Sequence, residues 1–242
     1  MRTLTGIGVG PGDPELLTLK AARLLREADV VFAPTAALER ESRAEQIVLA
    51  ATGIAVRRLV FALDDQGGAT AERTAAWDEA ARAVLDAFAS GAQHVGFVTL
   101  GDPNVYSTFG YLAQTVAGLD DEVRIASVPG VTAMQGLAAR ADVRLAEGRE
   151  PLTLVPAAAG LDDVRSALAG TGTVVVYKGG RRLAELTAAI EAAGRAGNAV
   201  LGTDLGLPTE RIGALREHEA GRAPYFTTVI VPPVRGGRGE AL

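Results

Sequence analysis

The 242-residue chain contains no cysteine and only two histidines. Without cysteine there can be no disulfide bond, thiolate nucleophile or cysteine-ligated metal, which is compatible with a reducing compartment. His94 stands directly before an apolar strand, and we expect a turn residue there rather than a general base. Thiol and imidazole chemistry is therefore scarce in this chain, and the sequence predicts no metal site.

Long apolar runs and blocks of positive charge are missing as well. No run approaches the roughly 18 apolar residues of a membrane span, and a glycine turn stands where a signal peptide would have its apolar core. The net charge is −5, and the 24 basic residues are spread along the chain, so no nucleic-acid footprint is visible. We therefore expect a cytoplasmic protein that binds neither nucleic acid nor a membrane.

Apolar stretches are plentiful, at 48% of residues, and in the first half they alternate with amphipathic ones in βαβα order. This order predicts an α/β fold with a parallel sheet in an N-terminal domain, residues 1–146. The polar segment 147–150 is the expected linker. Residues 151–234 then predict a second α/β domain with a mixed sheet, in which 211–215 and 225–231 could form a hairpin. The glycine-rich tail 235–242 is expected to be disordered.

The first glycine-rich turn, Gly8 to Asp13, lacks the residues that a nucleotide-binding loop uses to hold phosphate. A dinucleotide fingerprint would need glycine where Asp13 stands, and a phosphate-cradling loop would end in Lys-Ser/Thr rather than Pro14-Glu15. Asp13 and Pro14 are typical of a helix N-cap and first helical position, predicting a helix over 14–27. A nucleotide-dependent oxidoreductase is thereby disfavoured, and the turn is better suited to a ligand without phosphates.

Three turns of the first domain share one layout, in which glycine follows an apolar strand and precedes a helix. They occupy residues 10–13, 100–103 and 128–132. Because ligands bind at the carboxyl edge of open α/β sheets, this layout predicts a shared cleft rather than three unrelated loops.

These turns and a later motif resemble the tetrapyrrole methylases of cobalamin synthesis, and among them the precorrin-2 C20-methyltransferases. The matching segments are Gly8 to Ala21 (GVGPGDPELLTLKA), Leu100 to Thr108 (LGDPNVYST), Val128 to Ala133 (VPGVTA) and Pro224 to Thr228 (PYFTT). Ordered in this way, they span nearly all of the chain. Thr132-Ala133 departs from the serines that many C20 members carry, and Tyr177 stands where many have methionine.

The resemblance implies a class III methyltransferase fold, with two α/β domains and a cleft between them, usually in a homodimer. S-adenosylmethionine would be the methyl donor and would lie in that cleft. The donor site implied by motif position comprises Gly101, Asp102, Val105, Thr132, Ala133, Tyr177 and Leu207. The substrate side would include Pro11, Gly12 and Asp13.

The implied reaction is methyl transfer to the meso carbon C20 of a reduced tetrapyrrole, which is itself the carbon nucleophile. The protein then needs to align the reactants rather than supply a nucleophile or a metal. Tyr106 is a candidate for orienting groups or handling a proton. A carboxylate-rich substrate also calls for local positive charge, and the candidates are Lys178, Arg181, Arg182, Arg144 and Arg149.

Several alternatives stay open. The methylated position could be a different one, and the substrate could be cobalt-factor II rather than metal-free precorrin-2. A ribosomal-RNA ribose methyltransferase of the same fold would need a basic face that this sequence does not offer. A non-catalytic binding module would bind S-adenosylmethionine without transferring its methyl group.

Overall fold

The computed structural model describes residues 1–62, 68–158, 160–218, 223–237 and 239. The chain forms two compact units, Met1–Thr132 and Ala133–Leu242. Each unit is built on a five-stranded sheet, as expected for two α/β domains. The division between the units falls ahead of the polar segment 147–150 that the sequence marked as a linker. Within the described parts of the chain, no helix is both long and apolar enough to cross a membrane.

The first unit has a fully parallel sheet in the order β3-β2-β4-β1-β5. Its strands are β1 (Thr3–Gly8), β2 (Val30–Thr35), β3 (Arg57–Val60), β4 (His94–Thr99) and β5 (Arg124–Val128). Its helices are α1 (Leu19–Glu27), α2 (Arg43–Thr52), α3 (Ala71–Ala89) and α4 (Phe109–Leu119). The edge strand β3 was not predicted, because two of its four residues are arginines.

The central strand β4 is buried on both faces, which explains its near-continuous apolar sequence. Val95 and Phe97 belong to an apolar cluster that includes α3 and α4, whereas Val98 belongs to the cluster that includes α1 and α2. Alternate residues of the strand therefore anchor helices on opposite sides of the sheet. His94, expected in a turn, is instead the exposed first residue of this strand.

The second unit has a mixed sheet in the order β6-β7-β10-β8-β9. Its helices are α5 (Ala133–Arg140), α6 (Asp162–Leu168) and α7 (Leu183–Ala192). Its strands are β6 (Leu152–Pro156), β7 (Thr173–Tyr177), β8 (Val200–Thr203), β9 (Arg211–Ala214) and β10 (Thr227–Val231). Only β6 and β7 pair in parallel. The suggested hairpin between the last two strands is wrong, because β8 lies between them.

Helix α5 belongs to the second unit, although the sequence placed it at the end of the first domain. Leu137 and Ala138 pack in one apolar cluster with Val175 and Ile230. A methyl group added at Gly202 of β8 would lie 2.7 Å from the Leu137 side chain. The apolar face of this helix was visible in the sequence, but not the sheet against which it packs.

The beginning of the predicted disordered tail is held in place by an ion pair. Arg235 Nε donates to Glu150 Oε1 over 2.8 Å, and this interaction holds the pKa of Glu150 below its usual range. Disorder is therefore the wrong expectation for Arg235. Arg238 and residues 240–242 of the same predicted tail lie outside the described residues.

The turns after β1, β4 and β5 are in backbone contact through three glycines. A Cβ added to Gly130 would lie 2.2 Å from the carbonyl oxygen of Gly101, and one added to Gly8 would lie 2.5 Å from the same atom. The Gly101 N–H also donates to the Gly10 carbonyl over 2.8 Å. Only glycine allows three turns to approach so closely, so these residues set the shape of this sheet edge.

Gly130→Ala is expected to lower the free energy of unfolding by about 1–3 kcal/mol, because the new methyl group must displace backbone. Gly118→Ala in α4 is the matched control, since no atom of the described residues outside its own helix lies within 4 Å of its added Cβ. Alanine in a helix should there raise stability by roughly 0.5–1 kcal/mol. Urea unfolding of both variants measures the difference, and equal stabilities would contradict the packing argument.

Candidate active site

The Asp102 side chain links the turn after β4 to the turn after β5 through hydrogen bonds. Its Oδ1 accepts from the Asn104 N–H over 2.8 Å, and its Oδ2 accepts from the Gly130 N–H over 3.0 Å. The sequence predicted a ligand contact for this side chain, with capping as the alternative. A carboxylate has about four acceptor positions, so these two bonds leave capacity for ligand donors.

Gly101 has little packed against the side on which a side chain would project. Gly101 has a left-handed conformation with φ of +71°. Apart from its chain neighbours, the one described atom within 4 Å of an added Cβ would be the Thr132 Cα, at 3.9 Å. The Val105 N–H donates to the Asp102 carbonyl over 3.2 Å and closes the turn. The first unit thus brings four of the predicted donor-binding residues, Gly101, Asp102, Val105 and Thr132, into neighbouring turns.

Tyr106 follows this turn with an unusual backbone conformation, φ of +50°, and its side chain is 43% exposed. Partial burial raises the pKa of the phenol above its usual value. The group is therefore protonated at neutral pH, so that it can donate a hydrogen bond but is a poor proton acceptor. This favours the orienting role over proton removal. The adjacent Ser107 Oγ lies 2.9 Å from Thr99 Oγ1 and accepts from the Phe109 N–H, which anchors the start of α4.

The predicted substrate residues Pro11, Gly12 and Asp13 form the end of the first turn. Pro11 and Gly12 are buried, and Asp13 Oδ1 accepts from the Glu15 N–H over 2.9 Å. Asp13 is an N-cap, as expected, but of a 3-10 turn only three residues long. The predicted helix over 14–27 is wrong in its first turn: α1 begins at Leu19 because Thr18 provides its own cap, accepting from the Ala21 N–H over 3.1 Å.

In the second unit, the structure joins Tyr177 to the start of α5. The phenol oxygen of Tyr177 accepts from the Met134 N–H over 3.2 Å, next to Ala133, so that it caps the first turn of the helix. Leu207 lies in the turn after β8, where its N–H donates to the Asp204 carbonyl over 3.0 Å. Strands β7 and β8 both run antiparallel to β10, and Tyr177 and this turn therefore lie at the same edge of the sheet.

Two of the predicted cationic side chains follow β7 directly. Lys178 is left-handed, with φ of +59°, and its Nζ lies 5.8 Å from the centre of the Tyr225 ring. Arg181 is exposed in the 3-10 turn Gly180–Arg182. Tyr225 was part of a motif in the sequence, Pro224-Tyr225-Phe226, but its pairing with Lys178 could not be inferred because 46 positions separate them in the chain.

The other cationic candidates differ in their surroundings. Arg182 Nη1 lies 3.1 Å from Glu185 Oε2, and Arg144 Nη1 lies 3.1 Å from Glu147 Oε2. These two guanidinium groups are engaged in local ion pairs. Arg149 is exposed to solvent.

Several non-glycine residues in the turns that follow strands have a left-handed backbone conformation. Among the residues that the structure describes, the non-glycine residues with positive φ are Tyr106, Asp142, Lys178 and Asp204. Lys178 and Asp204 directly follow β7 and β8, and Tyr106 lies in the turn after β4. Such conformations cost about 1–3 kcal/mol each and are concentrated at functional sites. Three of the four residues lie in turns that follow strands, whereas Asp142 follows α5.

Comparison with known proteins decides the family. The model of the Tetrapyrrole (Corrin/Porphyrin) Methylases matches residues 3–220. The chain belongs to this family. Among solved structures, the tetrapyrrole methylase fold of this chain resembles a cobalt precorrin-4 methyltransferase, with a TM-score of 0.70 and 22% identity, covering 95% of this chain and 94% of that one.

Another similar structure is the uroporphyrin-III C-methyltransferase of Thermus thermophilus, which is complexed with S-adenosylhomocysteine. The TM-score is 0.65 at 24% identity, covering 95% of this chain and 97% of that one. Both structures confirm the expected fold of this tetrapyrrole methylase.

Two curated relatives match the sequence of this tetrapyrrole methylase over almost its full length. The cobalt-precorrin-2 C(20)-methyltransferase of Salmonella typhimurium is 34% identical over 232 residues, which cover 94% of this chain and 95% of the relative. The precorrin-2 C(20)-methyltransferase of a Sinorhizobium species is 31% identical over 235 residues, covering 95% and 94%.

Asp102→Asn is expected to lower the free energy of unfolding of this tetrapyrrole methylase by about 1–3 kcal/mol, because one amide N–H₂ must then face a backbone N–H. Asp13→Asn provides the control, since asparagine caps helical turns as well as aspartate does. Chemical denaturation of both variants makes the comparison. An Asp102→Asn protein as stable as the Asp13→Asn protein would contradict the stabilising role of the two hydrogen bonds that the Asp102 carboxylate accepts.

Proposed function

We propose that this protein transfers a methyl group from S-adenosylmethionine to C20 of precorrin-2 in cobalamin biosynthesis. The observation that carries the proposal is the sequence similarity to two C(20)-methyltransferases, which extends through both units and over nearly the whole of each relative. We further infer a homodimer, as the family resemblance implies, and a cytoplasmic location.

The residues that the family resemblance implies for donor binding lie in both units. From the first unit come Gly101, Asp102, Val105 and Thr132, and from the second Ala133, Tyr177 and Leu207. S-adenosylmethionine supplies an electrophilic methyl group on a sulfonium. The open side of Gly101 admits a flat ligand to the backbone, and the remaining acceptor positions of Asp102 suit ribose hydroxyls or an amino group.

The proposed substrate supplies its own nucleophile, the electron-rich meso carbon of the reduced macrocycle. The bond from C20 to the methyl carbon forms as the bond from sulfur to that carbon breaks, which leaves S-adenosylhomocysteine, and the proton lost from C20 passes to solvent water. The main contribution of the protein is to hold carbon, methyl group and sulfur in line, which can lower a barrier by several kcal/mol. Tyr106, with its protonated phenol, is suited to orient one of the reactants by donating a hydrogen bond.

Substrate recognition is proposed for the first turn and for the cations after β7. Pro11, Gly12 and Asp13 would lie against the macrocycle, where small or compact residues leave room for it. Lys178 and Arg181 would bind its carboxylates, and arginine is suited to do so through two parallel hydrogen bonds. Arg182 and Arg144 are weaker candidates because carboxylates of this chain already pair with them.

An anaerobic assay with methyl-¹³C-labelled S-adenosylmethionine tests the proposal. Precorrin-2 and cobalt-factor II are offered separately, and NMR locates the new methyl group. We expect the label at C20, and the substrate that turns over faster identifies the metal state of the natural one. Label at another carbon would contradict the C20 assignment. Donor binding without transfer to either compound would contradict the enzymatic function and favour a binding module.

The same assay separates donor from substrate recognition. In Arg181→Ala we expect a higher KM for the tetrapyrrole and an unchanged Kd for S-adenosylmethionine. Arg165→Ala removes an equal charge from α6, where Arg165 pairs with Asp162 over 3.1 Å, and should change neither value. Equal weakening of donor and substrate binding in Arg181→Ala would exclude a carboxylate-binding role.

A further inference from the structure

The side chain of Lys178 is placed by an aromatic ring from a distant part of the chain. Its Nζ lies 5.8 Å from the centre of the Tyr225 ring, within the range of a cation–π interaction. Tyr225 is 37% exposed, so the pair lies at the surface of the unit. A lysine side chain has four rotatable bonds, and the ring therefore limits the positions that the ammonium group can take.

The segment that carries Tyr225 is attached to the turn after β7. The Ala223 N–H donates to the Gly180 carbonyl over 3.0 Å. A Cβ added to Gly180 would lie 2.0 Å from the Pro224 carbonyl oxygen, so the two backbones are in direct contact. Thr227 Oγ1 also donates to that oxygen, at the start of β10. These contacts fix the Tyr225 backbone relative to the turn that begins at Lys178.

The rings of Tyr225 and Phe226 support each other. Their centres are 5.2 Å apart at an interplanar angle of 79°, an edge-to-face arrangement. The aromatic side chain over Lys178 is therefore part of a pair, which restricts its rotation further.

The backbone of Lys178 contributes to the same placement. Its φ of +59° is a conformation that glycine adopts readily and lysine does not. The next residue is a glycine, Gly179, which could adopt the left-handed conformation at little cost. The residue that adopts it is nevertheless Lys178. Such strain persists where surrounding contacts impose it and is concentrated at binding sites.

A π-face differs from a carboxylate as a partner for an ammonium group. A carboxylate neutralises the charge, whereas the ring attracts the cation through its quadrupole and carries no net charge itself. The Tyr225 ring therefore helps to place the Lys178 ammonium without bringing a negative charge of its own to it.

We propose that Tyr225 is a positioning residue, which holds the Lys178 ammonium where it binds a carboxylate of the tetrapyrrole substrate. This inference rests on the proposed function, because that function supplies the carboxylate-rich substrate. It adds a residue for which the sequence motif alone gave no role.

Four variants test the inference in the methyl-transfer assay: Tyr225→Leu, Tyr225→Phe, Lys178→Met and the double variant Tyr225→Leu/Lys178→Met. In Tyr225→Leu we expect the KM for the tetrapyrrole to rise about fivefold, as the loss of an ordinary cation–π contact implies. The kcat and the Kd for S-adenosylmethionine should not change. Tyr225→Phe should restore the KM, because phenylalanine keeps the ring. The double variant should be no worse than Lys178→Met alone.

Tyr111→Leu is the matched control, since Tyr111 is also a half-exposed tyrosine in a ring pair, stacked on Trp77 at 4.4 Å. It should leave the KM unchanged. A wild-type KM in Tyr225→Leu, or losses that add fully in the double variant, would overturn the positioning role. Wild-type protein that methylates no tetrapyrrole would contradict the proposed function and, with it, the carboxylate role.

The contact itself is measured without substrate by the ¹H shift of the Lys178 ε-methylene group. The ring current of Tyr225 should move this resonance upfield in the wild type and in Tyr225→Phe, but not in Tyr225→Leu. Identical shifts in all three proteins would overturn the inference whatever the assay shows.

Discussion

Backbone contact among Gly8, Gly101 and Gly130 is the constraint on which the first unit depends. With a side chain at Gly8 or Gly130, the turns after β1, β4 and β5 could not pack together, because a Cβ would lie within 2.5 Å of the Gly101 carbonyl oxygen. The close approach lets Asp102 reach the Gly130 N–H and leaves an open side beside Thr132.

The second unit supplies a different chemistry at the edge of its own sheet. Tyr177 places a phenol at the start of α5, and Lys178 places an ammonium group against Tyr225. For a reaction in which the substrate is itself the carbon nucleophile, donor alignment and charge complementarity are the main requirements. The scarcity of histidine and the absence of cysteine are consistent with that chemistry, which needs neither a thiolate nor an imidazole.

Local signals predicted those features that depend on a few neighbouring residues. The apolar run of β4, the glycine turn at Gly101 and the cap at Asp13 are examples, because strand burial, positive φ and capping each have a sequence signature. Features that depend on remote partners were missed. Three features were missed in this way: the unit to which α5 belongs, the position of β8 between β9 and β10, and the pairing of Lys178 with Tyr225. Each depends on contact between segments that are distant in the chain, and the sequence of one segment does not indicate its partner. The prediction of a helix over 14–27 is wrong in its first turn for a local reason, because Thr18 caps a helix that begins only at Leu19.

The glycine turns at Gly101 and Gly130 are proposed as part of the donor site. Titration of ¹⁵N-labelled protein with S-adenosylhomocysteine, followed through the backbone amide resonances, tests their involvement. We expect saturable shifts at Gly101, Asp102, Val105 and Thr132, with small changes at exposed helical positions such as Gly118. Saturable binding that leaves these four amides unchanged would place the donor elsewhere in the protein and exclude these turns from its site.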